Sequence, residues 1–488
     1  MSQIEFQSAI EQVGAIRAGK ISSSELLETY LERIDKWNPD LNAIVCMDSE
    51  TARDRARAAD EALSRNESWG LLHGLPMTVK DTLEVAGMAS TAGAPPLKDH
   101  VPQKNAAAVQ ALVDAGAIIF GKTNVPLFAG DFQSFNDIYG QTSNPWDTSK
   151  TPGGSSGGAA AALSAGLCAL EIGSDLGGSI RLPAHFCGIY GHKPSYGIVP
   201  QKGHIPPPPG IFTGDYAAGV DMMAAGPLAR NIEDVELALE IIVGPEPPDR
   251  RAWTVKLPPP RKQALADYKI GLWLDDPACP VDAGVGDVIQ ATVDQLAQSG
   301  AAISEVRPEI DFSGSYETFL SLNAAVMGAG VPNKMFRKWM ETADTLPGDD
   351  HSYLARQIRG ATQRHRHWVE QDGMRELLRQ KWADFFKTYD VLICPPAILP
   401  AFAHDHGYIF DRTLSVNGKD RPYMDIMAWA HLASVAKLPA TVLPAGRTPE
   451  GLPVGMQVIG PYLEDRTPIH VARLFTEIIG GFVPPPGF

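Results

Sequence analysis

Two short glycine-rich segments each carry a serine that could act as a nucleophile. Residues 153–157 read Gly-Gly-Ser-Ser-Gly and contain Ser155, and in residues 173–183 a Gly-Gly pair directly precedes Ser179. Glycine lets the backbone fold tightly around a ligand atom, and the Ala-rich stretch after the first segment predicts a helix. Unpaired backbone N–H groups gather at a helix N-terminus and suit an oxyanion. The two segments therefore suit the binding of an anion or an oxyanion beside a serine hydroxyl.

A lysine that could serve as the base ends an apolar stretch upstream of both serines. Residues 77–79 predict a short buried strand, and Lys80 follows directly. Lysine in water has a pKa near 10.4, so it is a poor base until burial disfavours its charged form. For any one of these residues alone, the simpler interpretation is a surface lysine for Lys80 and a helix cap for each serine. Their joint occurrence favours a catalytic set.

Two pattern matches suggest other functions, and their local context argues against both. Residues 116–123 match the phosphate-binding pattern GxxxxGK[ST], but the four intervening residues are apolar and predict a strand, and Pro126 stands where the helix would begin. Residues 153–157 also match GxSxG, the nucleophile elbow of α/β-hydrolases, which needs a strand directly before it. Turn-forming residues precede it instead, so the elbow is the second interpretation.

Together these segments resemble the amidase signature family. The two serines lie 24 residues apart, as in that family. The resemblance implies that Ser179 is the acyl-forming nucleophile and that Lys80 is the base. It also implies that Ser155 is a bridging serine, joined to Gly154 by a cis peptide bond. Further matching stretches extend over nearly the whole chain: residues 74–81, 121–124, 144–146, 191–194, 226–230 and 451–457.

The resemblance implies an α/β fold in a single domain, residues 1–488, with a large twisted mixed β-sheet and helices on both faces. Its signature core spans about residues 70–200. Alternating helix and strand signals along the chain agree with this class. Residues 202–221, which are rich in proline, and residues 313–382, which are predicted to be mainly helical, are the expected lid or substrate segments.

Two helices illustrate the local signals. Residues 22–37 predict an amphipathic helix that begins at a capping box and that Pro39 ends. Residues 157–170 predict an Ala-rich helix directly after the first serine segment.

The segment around Ser179 is expected to receive the negative charge that develops on the substrate oxygen. Asp175 and Arg181 flank the nucleophile, and they either bind substrate or form an ion pair that stiffens the loop. Backbone N–H groups that glycine leaves accessible suit such an oxyanion. The expected donors are Leu176, Gly177, Gly178 and Ser179.

The substrate pocket is predicted to be apolar and aromatic, although each of its candidates could equally be ordinary core. The expected activity is that of a serine amidohydrolase that cleaves C–N bonds of hydrophobic or aryl amides. Carbamates and esters present the same acyl carbon and remain alternatives. The candidate pocket residues are Phe128, Ala129, Gly130, Phe132 and Tyr139, with Trp429 as a further candidate.

Three other interpretations remain open. In the branch of the family that provides the glutaminase component for misacylated tRNA, an acidic residue usually stands where this chain has Leu127, and partner subunits are required. A Ser-His-Asp esterase would use Ser155 or Ser156 with a histidine from the C-terminal part, and the candidates are His404, His406 and His431. A scaffold that has kept the fold without activity is the third.

Composition narrows the class of protein. The chain has 488 residues, of which 44% are hydrophobic and 20% charged, as in a globular protein. With 42 basic and 57 acidic residues and no basic block, nucleic acid is not an expected partner. The five cysteines and the histidines lack metal-ligand spacing, and no signal peptide or membrane span is predicted. We expect a cytoplasmic monomer or homodimer that acts on a small molecule without a metal or cofactor.

Overall fold

The computed structural model describes residues 4–205 and 219–488. In these ranges the chain forms fourteen α-helices and fifteen β-strands. The helices are α1 (Ala9–Arg17), α2 (Ser23–Leu41), α3 (Ser49–Ser64), α4 (Ala107–Asp114), α5 (Gly157–Ser164), α6 (Arg181–Cys187), α7 (Ile232–Ile242), α8 (Ala283–Gln298), α9 (Phe312–Ala329), α10 (Asn333–Ala343), α11 (Tyr353–Ala361), α12 (His365–Phe385), α13 (His431–Val435) and α14 (Arg466–Ile479).

The strands are mostly short and are spread along the whole described chain. They are β1 (Ile44–Met47), β2 (Pro76–Lys80), β3 (Ile118–Thr123), β4 (Phe135–Asn136), β5 (Gly140–Gln141), β6 (Leu170–Asp175), β7 (Tyr190–Lys193), β8 (Ala224–Ala229), β9 (Lys269–Leu272), β10 (Ala302–Glu305), β11 (Val391–Cys394), β12 (Thr413–Val416), β13 (Lys419–Pro422), β14 (Ala440–Arg447) and β15 (Pro453–Ile459).

Eleven strands form one mixed sheet in the order β1-β3-β2-β6-β8-β7-β14-β15-β11-β9-β10. Strand β2 is parallel to both of its neighbours, β3 and β6, and β9 is parallel to β10 and β11. The remaining neighbours are antiparallel. With helices on both faces of the sheet, the predicted α/β fold is confirmed.

The pairing of β2 with β6 determines where the candidate catalytic lysine lies. Thr78 pairs with Glu171 and Val79 with Ile172, so Lys80 comes level with residue 173, directly before Ser174. Because the two strands are parallel, their carboxyl ends meet at one edge of the sheet. Ligands of α/β sheets bind at such edges.

Helix α2 begins where the sequence predicts and ends later. The side chain of Ser22 accepts a hydrogen bond from the Glu25 N–H, and the Glu25 carboxylate accepts one from the Ser22 N–H. The prediction that Pro39 ends the helix is wrong, because α2 continues to Leu41. The side chain of Asn38 accepts the N–H groups of Ala43 and Ile44 at the start of β1, and Asn42 turns the chain in the left-handed conformation.

Two further segments differ from expectation or lie beyond it. Helix α5 stops at Ser164 rather than near residue 170, because Gly166 has a φ of +69° and β6 starts at residue 170. Most of the predicted lid segment 202–221 lies outside the described residues, whereas the segment 313–382 is mainly helical as predicted and falls within α9 to α12. Among the described helices, none combines the length and apolar character that crossing a bilayer requires.

Candidate active site

Lys80 is fully buried at the carboxyl end of β2. Its Nζ lies 2.6 Å from Ser155 Oγ, 3.0 Å from Ser174 Oγ and 3.2 Å from the backbone oxygen of Ser174. The structure thus brings together a lysine and a serine that are 75 residues apart in the chain. All three partners of the lysine are oxygen atoms of serine residues.

The surroundings of Lys80 favour its neutral form. Burial disfavours the ammonium and lowers the pKa of Lys80 to about 7, although the carboxyl groups of Asp175 and Glu171 act in the opposite direction. Burial also raises the pKa of Glu171 to about 8, so this carboxyl is mostly protonated at pH 7. Near neutral pH, therefore, a substantial fraction of Lys80 is able to accept a proton.

The loop that carries Ser155 is tightly packed and leads directly into α5. The peptide bond between Gly154 and Ser155 is cis. A Cβ on Gly154 would lie 2.6 Å from the backbone oxygen of Asp131, so only glycine fits at this position. The hydroxyl of Ser134 donates to Gly153 O and accepts from Gly157 N–H, which holds both ends of the loop.

Ser179 lies in the loop between β6 and α6, next to the Ser155 loop. Its backbone oxygen accepts a hydrogen bond of 3.0 Å from Ser156 N–H, which links the two serine loops. Ser179 is 9% exposed, whereas Ser155 is 1% exposed. Of the two serines that the sequence singles out, Ser179 is therefore the more accessible to a substrate.

The predicted oxyanion donors are not all available in the structure. The N–H of Gly178 donates to Asp175 Oδ1 at 2.9 Å, so the prediction for Gly178 is corrected. Its φ of +119° explains why this position needs glycine. Within the described part of the chain, no hydrogen bond occupies the N–H groups of Leu176, Gly177 or Ser179.

Asp175 and Arg181 form a fully buried ion pair that shapes the Ser179 loop. The Asp175 carboxylate accepts the N–H groups of Gly178 and Ile180 as well as two bonds from the Arg181 guanidinium. Burial alone would raise the pKa of Asp175, but the charge and hydrogen bonds of Arg181 lower it to about 2. The carboxylate therefore stays charged at neutral pH and holds the loop in shape.

The guanidinium of Arg181 has no donor left for a substrate. Its side chain carries five N–H donors. Two donate to Asp175, and the others reach Ala430 O, Gln457 Oε1 and Ser434 Oγ at 2.6 to 2.8 Å. Of the two roles left open by the sequence, the structure favours the structural ion pair.

We expect Asp175→Asn to lower the free energy of unfolding by about 3–5 kcal/mol, because it leaves a buried guanidinium without its counter-charge. Urea denaturation followed by circular dichroism would measure the change. Asp54→Asn is the matched control, since it removes an exposed partner of Arg57 and should cost less than about 1 kcal/mol. Equal losses in the two variants would contradict the structural role of the buried pair.

A cavity of about 230 Å³ opens beside Ser179. Helices α9, α10 and α11 contribute to its lining, together with the loop after β3 and the loop after β6. These helices belong to the segment that the sequence predicts to form a lid. Most of the lining is apolar and includes Phe132, Met327, Trp339, Phe410, Met424 and Met427.

Besides Ser179, three polar side chains line the cavity. The carboxylate of Asp131 is already occupied, because it accepts hydrogen bonds from the Tyr423 hydroxyl and the Arg412 guanidinium. Asn323 and Gln357 differ, since their side chains make no hydrogen bond to any described residue. Two neutral amide groups are therefore free to meet a polar part of a bound molecule.

The structure places the predicted pocket residues in two different regions. Ala129, Gly130 and Phe132 line the cavity. Phe128 and Tyr139 do not, and the prediction for them is corrected. Phe128 and Ala129 both have positive φ, which turns the Phe128 ring away from the cavity. That ring packs on a small apolar cluster: Ala92, Ala94, Leu97 and Ile205.

Two other aromatic candidates lie outside the cavity lining, Tyr139 partly buried and Trp429 fully buried. Tyr139 lies near Thr91 and Asp81, where burial raises the pKa of its phenol to about 12. Trp429 is fully buried, and its indole N–H donates to Cys279 O. Neither side chain lines the cavity beside Ser179.

The histidines of the alternative esterase mechanism lie away from the serines. His406 stacks on Phe135 with ring centroids 4.0 Å apart, and His404 packs against His406. His431 Nε2 lies 3.0 Å from Ser315 Oγ. No hydrogen bond in the described part of the chain joins one of these three rings to either serine loop. None of these three histidines is therefore placed to act as the base of the esterase mechanism.

Sequence reasoning missed one histidine that the structure brings to the site. His204 Nε2 lies 3.0 Å from Ser174 Oγ, which in turn contacts Lys80. Ser174 could have been found from its place at the end of a strand parallel to β2. His204 precedes a proline-dense segment and carries no local signal.

In the described ranges, no three His, Cys, Asp or Glu side chains are grouped to hold a metal ion.

Comparisons with known proteins show the family to which the chain belongs. The sequence model of the amidase family matches residues 25–468. A glutamyl-tRNA(Gln) amidotransferase subunit from Synechococcus sp. (strain CC9605) is 32% identical over 95% of this chain and 94% of its own length. Indoleacetamide hydrolase of Bradyrhizobium diazoefficiens is 32% identical over 94% of this chain and 84% of its own length.

The fold is likewise shared with a solved structure. A bacterial aryl acylamidase of the amidase signature family superposes with a TM-score of 0.83 at 24% identity, covering 99% of each chain. Given the extent of the sequence match and the shared architecture, the chain belongs to the amidase family of hydrolases that act on C–N bonds.

Proposed function

We propose that this amidase cleaves neutral amides that carry an aromatic or other apolar group, through an acyl-enzyme on Ser179. The observation that carries the proposal is the 2.6 Å contact of Lys80 Nζ with Ser155 Oγ, beside a cavity that Ser179 lines. Lys80 is the base, Ser155 passes the proton, and Ser179 is the nucleophile.

The reaction begins when neutral Lys80 takes the proton of the Ser155 hydroxyl while Ser155 takes that of Ser179. Ser179 Oγ then forms a bond to the carbonyl carbon. The C–N bond breaks, and the same relay returns a proton to the leaving nitrogen. Water attacks the acyl ester next, which releases the acid and restores the Ser179 hydroxyl. Amides depend on the proton return most, because an amine anion is a poor leaving group.

The negative charge on the carbonyl oxygen needs donors that point into the cavity. With Gly178 committed to Asp175, the N–H groups of Leu176, Gly177 and Ser179 are the proposed oxyanion donors. The loss of one such donor typically lowers kcat by about 100-fold or more. The buried pair of Asp175 and Arg181 holds these donors in place rather than contacting the substrate.

The size and lining of the cavity support a small substrate with one aromatic group. An apolar cavity of about 150 Å³ is large enough to hold benzene. A cavity of about 230 Å³ therefore suits one ring with a small substituent. Methionine side chains adapt to flat rings, and Asn323 and Gln357 suit a neutral polar substituent. Helices α9 to α11 would close over it as the lid.

One relative, the amidotransferase component from Synechococcus, suggests a different substrate and partner subunits. Free glutamine carries a carboxylate that needs a positive charge, yet none of the described residues lining the cavity is Lys, Arg or His. Leu127 likewise stands where that branch of the family usually has an acidic residue. We therefore propose a hydrolase that works without partner subunits.

A panel of acyl compounds tests the proposal. Hydrolysis of an anilide, a matched aryl carbamate, a nitrophenyl ester, a primary aliphatic amide and glutamine would be compared by kcat/KM. We expect the aryl compounds to exceed glutamine by at least about 100-fold, because glutamine's carboxylate has no partner in the cavity. Faster turnover of glutamine would reject the aryl amide proposal and favour the amidotransferase relationship. Preference for the carbamate over the anilide would keep the mechanism and change the substrate class.

The pH dependence of kcat/KM should report the protonation of Lys80. Protonated Lys80 has no lone pair to accept a proton, so activity should rise with pH, reach half its plateau near pH 7 and fall tenfold per unit below. Glu171→Gln is the control, because it keeps a neutral side chain where burial raises the carboxyl pKa to about 8. The fall of kcat/KM below pH 7 should persist in that variant. If this fall is absent in Glu171→Gln, the titrating group is the Glu171 carboxyl.

A further inference from the structure

We propose that His204 is a positioning residue that fixes the direction of the hydrogen bonds around Lys80, so that the lone pair of the neutral lysine faces Ser155. His204 does so through the hydroxyl of Ser174, which lies between the two side chains. The inference rests on the proposed role of Lys80 as the base.

Lys80 Nζ has three hydrogen-bond partners, and the number of N–H donors that it carries depends on its charge. A neutral amine has two N–H donors and one lone pair, and a charged ammonium has three donors. The three partners are Ser155 Oγ, Ser174 Oγ and the backbone oxygen of Ser174, at 2.6, 3.0 and 3.2 Å. The backbone oxygen only accepts, so it takes one N–H in either state. The direction of the Ser174 hydroxyl then decides which partner meets the lone pair.

With His204 as acceptor, the hydroxyl of Ser174 points away from the lysine. His204 Nε2 lies 3.0 Å from Ser174 Oγ, and in the tautomer that carries its proton on Nδ1 this nitrogen accepts. Ser174 then donates to the imidazole and accepts the second N–H of Lys80. The lone pair is left for the Ser155 hydroxyl. When Lys80 gains the proton, its third N–H donates to Ser155 and no other bond reverses.

Without an acceptor at position 204, the hydroxyl of Ser174 would be free to donate to the lysine. It would then occupy the lone pair, and the remaining N–H of Lys80 would point at Ser155 Oγ. In that arrangement Lys80 has no site to receive the Ser155 proton until the Ser174 hydroxyl rotates. His204 therefore removes a competing, unreactive arrangement of the same four atoms.

The position and charge state of His204 suit this role. Ile205 N–H donates to Thr82 O at 2.8 Å, and residue 204 forms a bridge with Leu83, so the imidazole is tied to the segment just after Lys80. Burial and the charge of Lys80 lower the pKa of His204 to about 3, which keeps a ring nitrogen free to accept at working pH.

Two substitutions of His204 distinguish its role as a hydrogen-bond acceptor from its role in filling space. His204→Leu removes the acceptor and should lower kcat/KM for an anilide about tenfold, with KM little changed. His204→Gln offers Oε1 near the place of Nε2 and should retain activity within about threefold. Thermal unfolding of each variant checks that the fold is intact.

A double-mutant cycle with Ser174→Ala tests the route through the hydroxyl. Ser174→Ala removes the acceptor of the second Lys80 N–H, which is then free to turn to Ser155 Oγ, so this variant should lose about as much activity as His204→Leu. Adding His204→Leu to Ser174→Ala should then cost nothing further. Equal costs of His204→Leu in both backgrounds would reveal a merely structural role and overturn the proposal.

The readout is the rate at which an aryl sulfonyl fluoride labels Ser179, followed by intact mass spectrometry alongside anilide hydrolysis. Labelling needs the nucleophile and base but no particular substrate. If wild type is labelled and His204→Leu is labelled equally fast, the role of His204 is overturned and the proposed function stands. Wild type that does not label at Ser179 would overturn both. If His204→Leu does not fold, wild-type labelling rates in Ser174→Ala would overturn the proposal.

Discussion

Replacing Ser179 by alanine should abolish hydrolysis of every acyl compound that the enzyme accepts. The expected loss in kcat is at least about 10⁴-fold, the size seen when a nucleophile is removed from a serine hydrolase. The reason is that Ser179 lines the cavity and is the proposed nucleophile, so no other group would replace its oxygen. Steady-state kinetics with the anilide and the nitrophenyl ester would measure the loss.

Ser156→Ala is the matched control for this variant. Ser156 lies in the neighbouring serine loop, and its hydroxyl donates only to the backbone oxygen of Ser174, at 3.3 Å. Activity within about threefold of wild type is expected, since one neutral hydrogen bond is lost. An active Ser179→Ala together with an inactive Ser156→Ala would instead place the nucleophile in the elbow pattern of residues 153–157.

Replacing Lys80 by alanine should lower anilide hydrolysis by about 10³- to 10⁴-fold, because both the removal of the Ser155 proton and its return to nitrogen are lost. The nitrophenyl ester should lose at least about tenfold less, since its leaving group departs without a proton. The residual ester activity should also no longer fall as the pH drops below 7. Comparing the two substrates across pH would measure both effects.

A second buried lysine offers the control for Lys80. Burial lowers the pKa of Lys193 to about 7 as well, yet its Nζ donates to Pro194 O rather than to a catalytic serine. Lys193→Met should therefore keep the ratio of anilide to ester activity. If Lys193→Met and Lys80→Ala lowered anilide hydrolysis equally, burial of a lysine and not its contact with Ser155 would explain the loss.

The sequence predicted the class of fold because its signals are local. Apolar runs such as residues 77–79 and the capping box at Ser22 and Glu25 depend only on neighbours in the chain. The end of α2 was missed because groups beyond the local signal fix it: the Asn38 side chain accepts the N–H groups of Ala43 and Ile44, and Asn42 turns the chain in the left-handed conformation. Strand order was beyond the sequence, since it is set by contacts between distant segments.

The candidate site was predicted where short motifs carry it. Lys80, Ser155 and Ser179 stand in such motifs, and the structure brings Lys80 to Ser155. The commitment of the Gly178 N–H to Asp175 depends on loop geometry that spacing does not reveal. Likewise the positive φ at position 128 reverses the direction of a side chain. His204 was missed because its proposed role depends on a contact across 30 residues with Ser174.

The most direct test of the central claim is to locate the acyl group on the enzyme. Wild type would be mixed with the nitrophenyl ester, quenched in acid within the first turnover, digested and mapped by mass spectrometry. The account predicts an acyl adduct on the peptide containing Ser179, localised to that residue. An adduct on Ser155 or Ser156, or turnover with no adduct at any serine, would contradict it.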